Sequence, residues 1–86
     1  MLSYMFLTCQ PGTEEGVISE IRTIPEVVEV NGILGKYDII VKLSIENPDK
    51  MELLVAQIRR IDILDSITMS VLYGQGGTID EEMVLS

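Results

Sequence analysis

Gly35-Lys36-Tyr37-Asp38 stands at the mouth of an aliphatic run, and Ser66-Ile67-Thr68 lies near the other end of the chain. An ionised carboxylate only accepts hydrogen bonds, so Asp38 suits an ammonium group. Backbone N–H groups exposed at a glycine turn suit a carboxylate, and Gly32 and Gly35 permit close approach to the main chain. Ser66 and Thr68, two residues apart on a strand, would turn their hydroxyls the same way. These residues make a coherent set for a zwitterion such as a free amino acid. Each has a plain structural alternative: turn geometry for Gly35, packing for Tyr37, solvation beside a turn for Asp38, ordinary strand formation for Ser66 and Thr68.

Other chemistries find little here. The chain has no histidine, which excludes Ser-His and Cys-His pairs and histidine metal sites. Cys9, the single cysteine, has no base near it in sequence and reads as a buried structural thiol. The carboxylates are scattered, with Glu14-Glu15 at a helix start and Asp80-Glu81-Glu82 in a solvated tail. Gly74-Gln75-Gly76-Gly77 lacks the strand–turn–helix setting and the following Lys-Ser/Thr of a phosphate loop. The residues therefore point to binding rather than catalysis, and no cofactor is implied.

The elements that must position these groups are legible in turn. LSYMFLTC, residues 2–9, is a short apolar strand closed by Pro11-Gly12. Thr13 is placed to cap a helix whose stripe is Val17, Ile18, Ile21 and Ile24, ended by Pro25. Residues 26–34 read as a second strand, with Val28, Val30, Gly32 and Leu34 opposed to Val27, Glu29, Asn31 and Ile33. Gly35-Lys36 fits a two-residue hairpin into a third strand, 37–45. Asn47 and Pro48 start a second helix with the stripe Met51, Leu54, Val55, Ile58 and Ile61, and Arg59 and Arg60 sit in its last turn. A fourth strand, 62–73, alternates Ile67, Met69, Val71 and Tyr73 with Ser66, Thr68, Ser70 and Leu72. The order β-α-β-β-α-β predicts an α+β, ferredoxin-like domain over 1–74: an antiparallel four-stranded sheet with two helices on one face. Residues 75–86 read as a flexible acidic tail, in which Thr78 and Glu81 have capping-box spacing.

The 86 residues fit one domain, which buries only about 60–65% of its unfolded surface. Yet 47% of residues are apolar and the mean hydropathy is +0.31. Strand one is apolar on both sides, Tyr4 and Phe6 against Met5 and Leu7, and Ile39 and Ile40 point in opposite directions. The open sheet face is therefore expected to pack on a second subunit. A net charge of −8, with no basic cluster beyond Arg59-Arg60, repels phosphate backbones and argues against direct nucleic-acid binding. No run approaches the ~18 apolar residues of a membrane span. A lone thiol and no basic leader predict a cytoplasmic protein.

Taken in order, Pro11-Gly12, Pro25-Glu26-Val27, Gly35-Lys36-Tyr37-Asp38-Ile39-Ile40-Val41, Ser66-Ile67-Thr68 and Val71-Leu72 resemble one family. The chain is similar, over residues 3 to 73, to the effector-binding (RAM) domain of the Lrp/AsnC transcription regulators. Regulators of that family carry a helix-turn-helix domain ahead of this module. Here the first strand begins at residue 2 or 3, so the resemblance implies a stand-alone RAM-type domain. It further implies dimers formed through the sheets, assembly to higher oligomers, often octamers, and small effectors, usually amino acids, bound between dimers near the turn joining strands two and three. Gly32, Gly35, Tyr37, Asp38, Ser66 and Thr68 are the residues placed to contact one. Partners would then include full-length Lrp/AsnC regulators. Asp65 and apolar Ile67 around the hydroxyl pair depart from the family's pattern. A pure oligomerisation module and a small dimeric ferredoxin-like enzyme are the alternatives, the latter requiring a cleft between sheet and helices.

Overall fold

Strict alternation of burial along LSYMFLTC puts β1 (Leu2–Cys9) at the centre of a sheet, with Ser3, Met5, Leu7 and Cys9 inside. The computed structural model describes residues 1–72. Tyr73, the boundary at 74 and the tail 75–86 with its Thr78–Glu81 pair lie outside the described residues. Around β1 come α1 (Glu14–Ile21), β2 (Val27–Gly32), β3 (Ile39–Ser44), a 3-10 turn at Pro48–Lys50, α2 (Met51–Arg59) and β4 (Ile63–Ser70). The strands form one antiparallel sheet in the order β2-β3-β1-β4. This is the ferredoxin-like arrangement expected from the sequence. No helix among the described residues is long and apolar enough to cross a membrane.

One sheet face is sealed by the helices. Met5, Leu7, Cys9, Ile39, Val41, Leu43 and Ile45 meet Val17 and Ile21 of α1, and Leu54 and Ile58 of α2, all at most 5% exposed. Ile18, Met51, Val55 and Ile61 pack partly against them, so both stripes read from the sequence are the buried faces. The centre of the space between sheet and helices is filled by these side chains.

The boundaries differ from the expected ones at identifiable places. The link between β2 and β3 is not a two-residue hairpin: Gly32 pairs with Ile39, and residues 33–38 form the loop. Gly35 does adopt positive φ (153°), within this longer loop. Val28 is an extra residue in β2, where the register with β3 shifts between Val27 and Glu29. The bulge turns Val27 to the same side as Val30, against the helices, and leaves Val28 out at 55% exposure, reversing half of the expected alternation. α1 ends at Ile21, and turns carry the chain to the buried Ile24. Thr13 occupies the N-cap position without capping by its side chain; its hydroxyl donates to Gln10 O at 2.7 Å, and the Glu14 carboxylate accepts from Gly12 N instead. Asn47 does cap, accepting from Asp49 N at 3.0 Å, at the 3-10 turn that leads into α2.

Candidate functional site

The loop 33–38 is held to the end of β1 by Asp38. Its backbone N–H donates to Leu7 O at 2.8 Å, and its carboxylate Oδ2 accepts from Cys9 N at 3.0 Å. Asp38 O also accepts from Ile33 N at 2.8 Å, closing the loop on itself. The carboxylate that the sequence offers to a ligand is thus engaged, on one oxygen, in fastening two strands. Burial pushes the Cys9 thiol above its ordinary value, a hydrogen bond from Thr13 opposes this, and the charges of Asp38 and Glu14 add to it. Cys9 is 3% exposed, a packed thiol.

Tyr37 is half-buried, and its ring lies 5.8 Å from that of Phe6, tilted by 50°. Lys36 Nζ stands 5.8 Å from the Tyr37 ring centroid, within cation–π range. Phe6 belongs to the open side of the sheet, because it pairs with Ile40 and Ile67 while its neighbours Met5 and Leu7 are buried on the other side. The aromatic pair therefore continues the open apolar face. Leu34 projects from the loop, fully exposed. A Cβ on Gly35 would meet no atom within 4 Å. Gly32 has a different setting: a Cβ there would sit 3.9 Å from Ile18 Cδ1 of α1, so it faces the helices.

Ser66 and Thr68 lie elsewhere. They pair with Leu7 and Met5, and Ser70 pairs with Ser3, so all three hydroxyls of β4 stand on the helix side. Ser66 Oγ accepts from Arg59 Nε of α2 at 2.8 Å, and Ser70 shares a 2.9 Å hydrogen bond with the buried Ser3. Thr68 Oγ1 is buried and has no partner. Within one chain the six candidate residues thus fall into two groups, with β1 between Asp38 and β4.

Sequence reasoning passed over Arg59, assigning it only to the helix dipole. It lines two depressions flanking the α2–β4 seam: one of about 580 Å³ with Met51, Glu52, Val55, Ala56 and Thr68, and one of about 320 Å³ with Ile63, Leu64, Asp65 and Ser66. Its spacing of seven from Glu52 on one helix face was the available signal.

The family model for the Lrp/AsnC ligand binding domain matches residues 3–75. Comparison with curated protein sequences gives no match. Among solved structures the chain is similar to FFRP-DM1, at 26% identity over 79% of this chain and 93% of that one, TM-score 0.76. It is also similar to a hypothetical protein from Pyrococcus horikoshii, at 25% identity over 84% of this chain and 90% of that one, TM-score 0.76. A transcriptional regulator from Neisseria meningitidis, in complex with L-Met, shares the fold at 15% identity, with 90% of this chain covering 53% of that one, TM-score 0.76.

Proposed function

The chain belongs to the Lrp/AsnC ligand-binding domain family, and we propose that it is a non-catalytic sensing module of the cytoplasm. In this reading dimers form through the open sheet faces and assemble further, to an octamer. An amino acid or close analogue binds at the contacts between dimers, and the bound state adjusts a partner such as a full-length Lrp/AsnC regulator. The observation that carries the reading is the family match across residues 3–75, nearly all of the described residues included. The exposed apolar face supports the dimer: Ile67 and Met69 are 42% and 52% exposed beside Phe6 and Ile40. The split of the candidate residues into two groups supports a site shared between subunits. That the Neisseria regulator was solved with L-Met supports a zwitterion as effector.

Thermal unfolding across a panel of amino acids tests the reading. A ligand at 100 times its Kd adds about 2.7 kcal/mol to the native state, and for a domain of this size each kcal/mol raises Tm by about 4–8 °C. A flat panel removes the sensing role and leaves the second reading, a pure assembly module. One observation favours that second reading: Asp38 already spends its carboxylate on Cys9 N. An enzymatic role receives no support from the filled core between sheet and helices.

A further inference from the structure

We propose that Arg59 and Thr68 form the carboxylate-recognising end of a ligand site in the groove between α2 and β4, and that this groove takes a small monocarboxylate with an apolar tail. The proposal deepens the sensing reading and rests on it, and it sets the anion end of the site on the helix side rather than at the glycine turn.

Three hydroxyls stand in a row on the helix side of β4, and two are satisfied. Ser66 accepts from Arg59 and Ser70 bonds Ser3, whereas Thr68 Oγ1, between them, is buried without a partner. A buried hydroxyl with nothing to bond is costly and marks a place for a missing acceptor. Arg59 supplies the charge. Its Nε–H is spent on Ser66, which holds the guanidinium against β4, and its Nη groups have no partner among the described residues. A planar guanidinium held on one side is suited to two-pronged contact with a carboxylate.

The rest of the groove sets the tail. Arg59 and Thr68 line one depression of about 580 Å³, a volume suited to a small ligand. Met51, Val55 and Ala56 give it an apolar floor, and Glu52 stands one α2 residue beyond Met51. Glu52, with Asp65 on the far side of Arg59, disfavours a second negative charge on the ligand. The net charge of −8 acts in the same direction. The groove thus selects one carboxylate, an apolar body and a neutral or cationic remainder, which fits leucine or methionine and not glutamate.

Calorimetric titration of the full chain with L-leucine, L-methionine, 4-methylpentanoate, leucinamide and L-glutamate tests this. Leucine and 4-methylpentanoate should bind, while leucinamide and glutamate should not. Arg59→Gln should weaken binding about tenfold or more, the loss expected on deleting a charged hydrogen-bond partner. Arg60→Gln, the same charge change at the neighbouring arginine, should leave it unchanged. Thr68→Val should weaken binding while the unliganded protein melts no lower than the wild type, because the hydroxyl it deletes is unpaired; a purely structural threonine would not show this split. If amino acids bind as tightly to Arg59→Gln and Thr68→Val as to the wild type, the groove is not the site, and the sensing reading stands without it. If none of these probes binds the wild type, the groove proposal falls, while the sensing reading falls only with a flat response to the full amino-acid panel.

Discussion

Replacing Asp38 by alanine should destabilise the protein before any ligand enters the question. Its carboxylate accepts the N–H of Cys9 at 3.0 Å, and Cys9 is 3% exposed, so water cannot readily take the carboxylate's place. Hydrogen bonds to charged groups contribute about 1.5–3 kcal/mol, much of it the penalty for stranding the partner. For a domain of this size each kcal/mol moves Tm by about 4–8 °C, so Asp38→Ala should melt roughly 6–24 °C below the wild type. Asp38→Asn keeps an acceptor oxygen at the same reach and should lose less than half as much. Urea unfolding with an unchanged slope, together with hydrogen exchange at the Cys9 amide, measures both. The amide should exchange fast in the alanine variant and stay protected in the asparagine one. If Asp38→Ala lies within about 0.5 kcal/mol of the wild type, a typical neutral surface change, the carboxylate does not fasten the loop to β1. Asp38 would then be free to serve a ligand, as the sequence alone suggested. For the same reason a binding role for Asp38 is to be read from the asparagine variant.

The remaining predictions concern the turn, the open face and the thiol. Gly35→Ala should cost about 1–3 kcal/mol, since φ of 153° is a region side chains rarely adopt, while Gly32→Ala, whose Cβ meets atoms only at 3.9 Å, should be neutral or mildly stabilising; thermal melts separate the two. The double variant Ile67→Asp, Met69→Asp should sediment as a folded monomer at micromolar concentration, where the wild type should sediment as an oligomer; a monomeric wild type removes the case for a covered sheet face. The Cys9 thiol is held above its ordinary value of 9.0, chiefly by burial. Its folded pKa is raised, so its contribution is present below the unfolded value and lost as pH rises through the folded one. Stability should therefore fall above pH 9 more steeply in the wild type than in Cys9→Ala, and equal slopes would contradict it.

The fold was legible because its local signals agree. The stripes at Val17-Ile18-Ile21 and Met51-Leu54-Val55-Ile58, the Asn47-Pro48 start and the alternation of β1 each name one element, and together they name one topology. What was not legible depends on contacts distant in sequence. The bulge at Val28 follows from how β2 meets β3, and a period-two pattern cannot announce an inserted residue. Asp38 was visible as a turn carboxylate, but its bond to Cys9 crosses 29 residues. Ser66 and Thr68 were visible as a pair that shares a side, yet alternation does not say which side, and Arg59 acquires meaning only when α2 lies over β4.

The polarity of β4 is inverted with respect to its own chain. A lone domain should turn Ile67 and Met69 toward the helices and Ser66, Thr68 and Ser70 toward water, and a slip of one residue would achieve that. The register prevents the slip: Ser70 is tied to Ser3 inside, and Ser66 is tied to Arg59. Phe6, Ile40 and Tyr37 extend the outward apolar face across β1 and β3. At about 25 cal/mol per Å² of apolar surface removed from water, covering such a face would add stability that the described residues do not themselves supply. Two features that look like separate anomalies, a greasy outer face and a hydroxyl-lined inner one, follow from one register. It leaves the outer side of the sheet apolar and exposed, the face on which the proposed dimer rests, and it leaves on the inner side the only buried hydroxyl among the described residues that still lacks a partner.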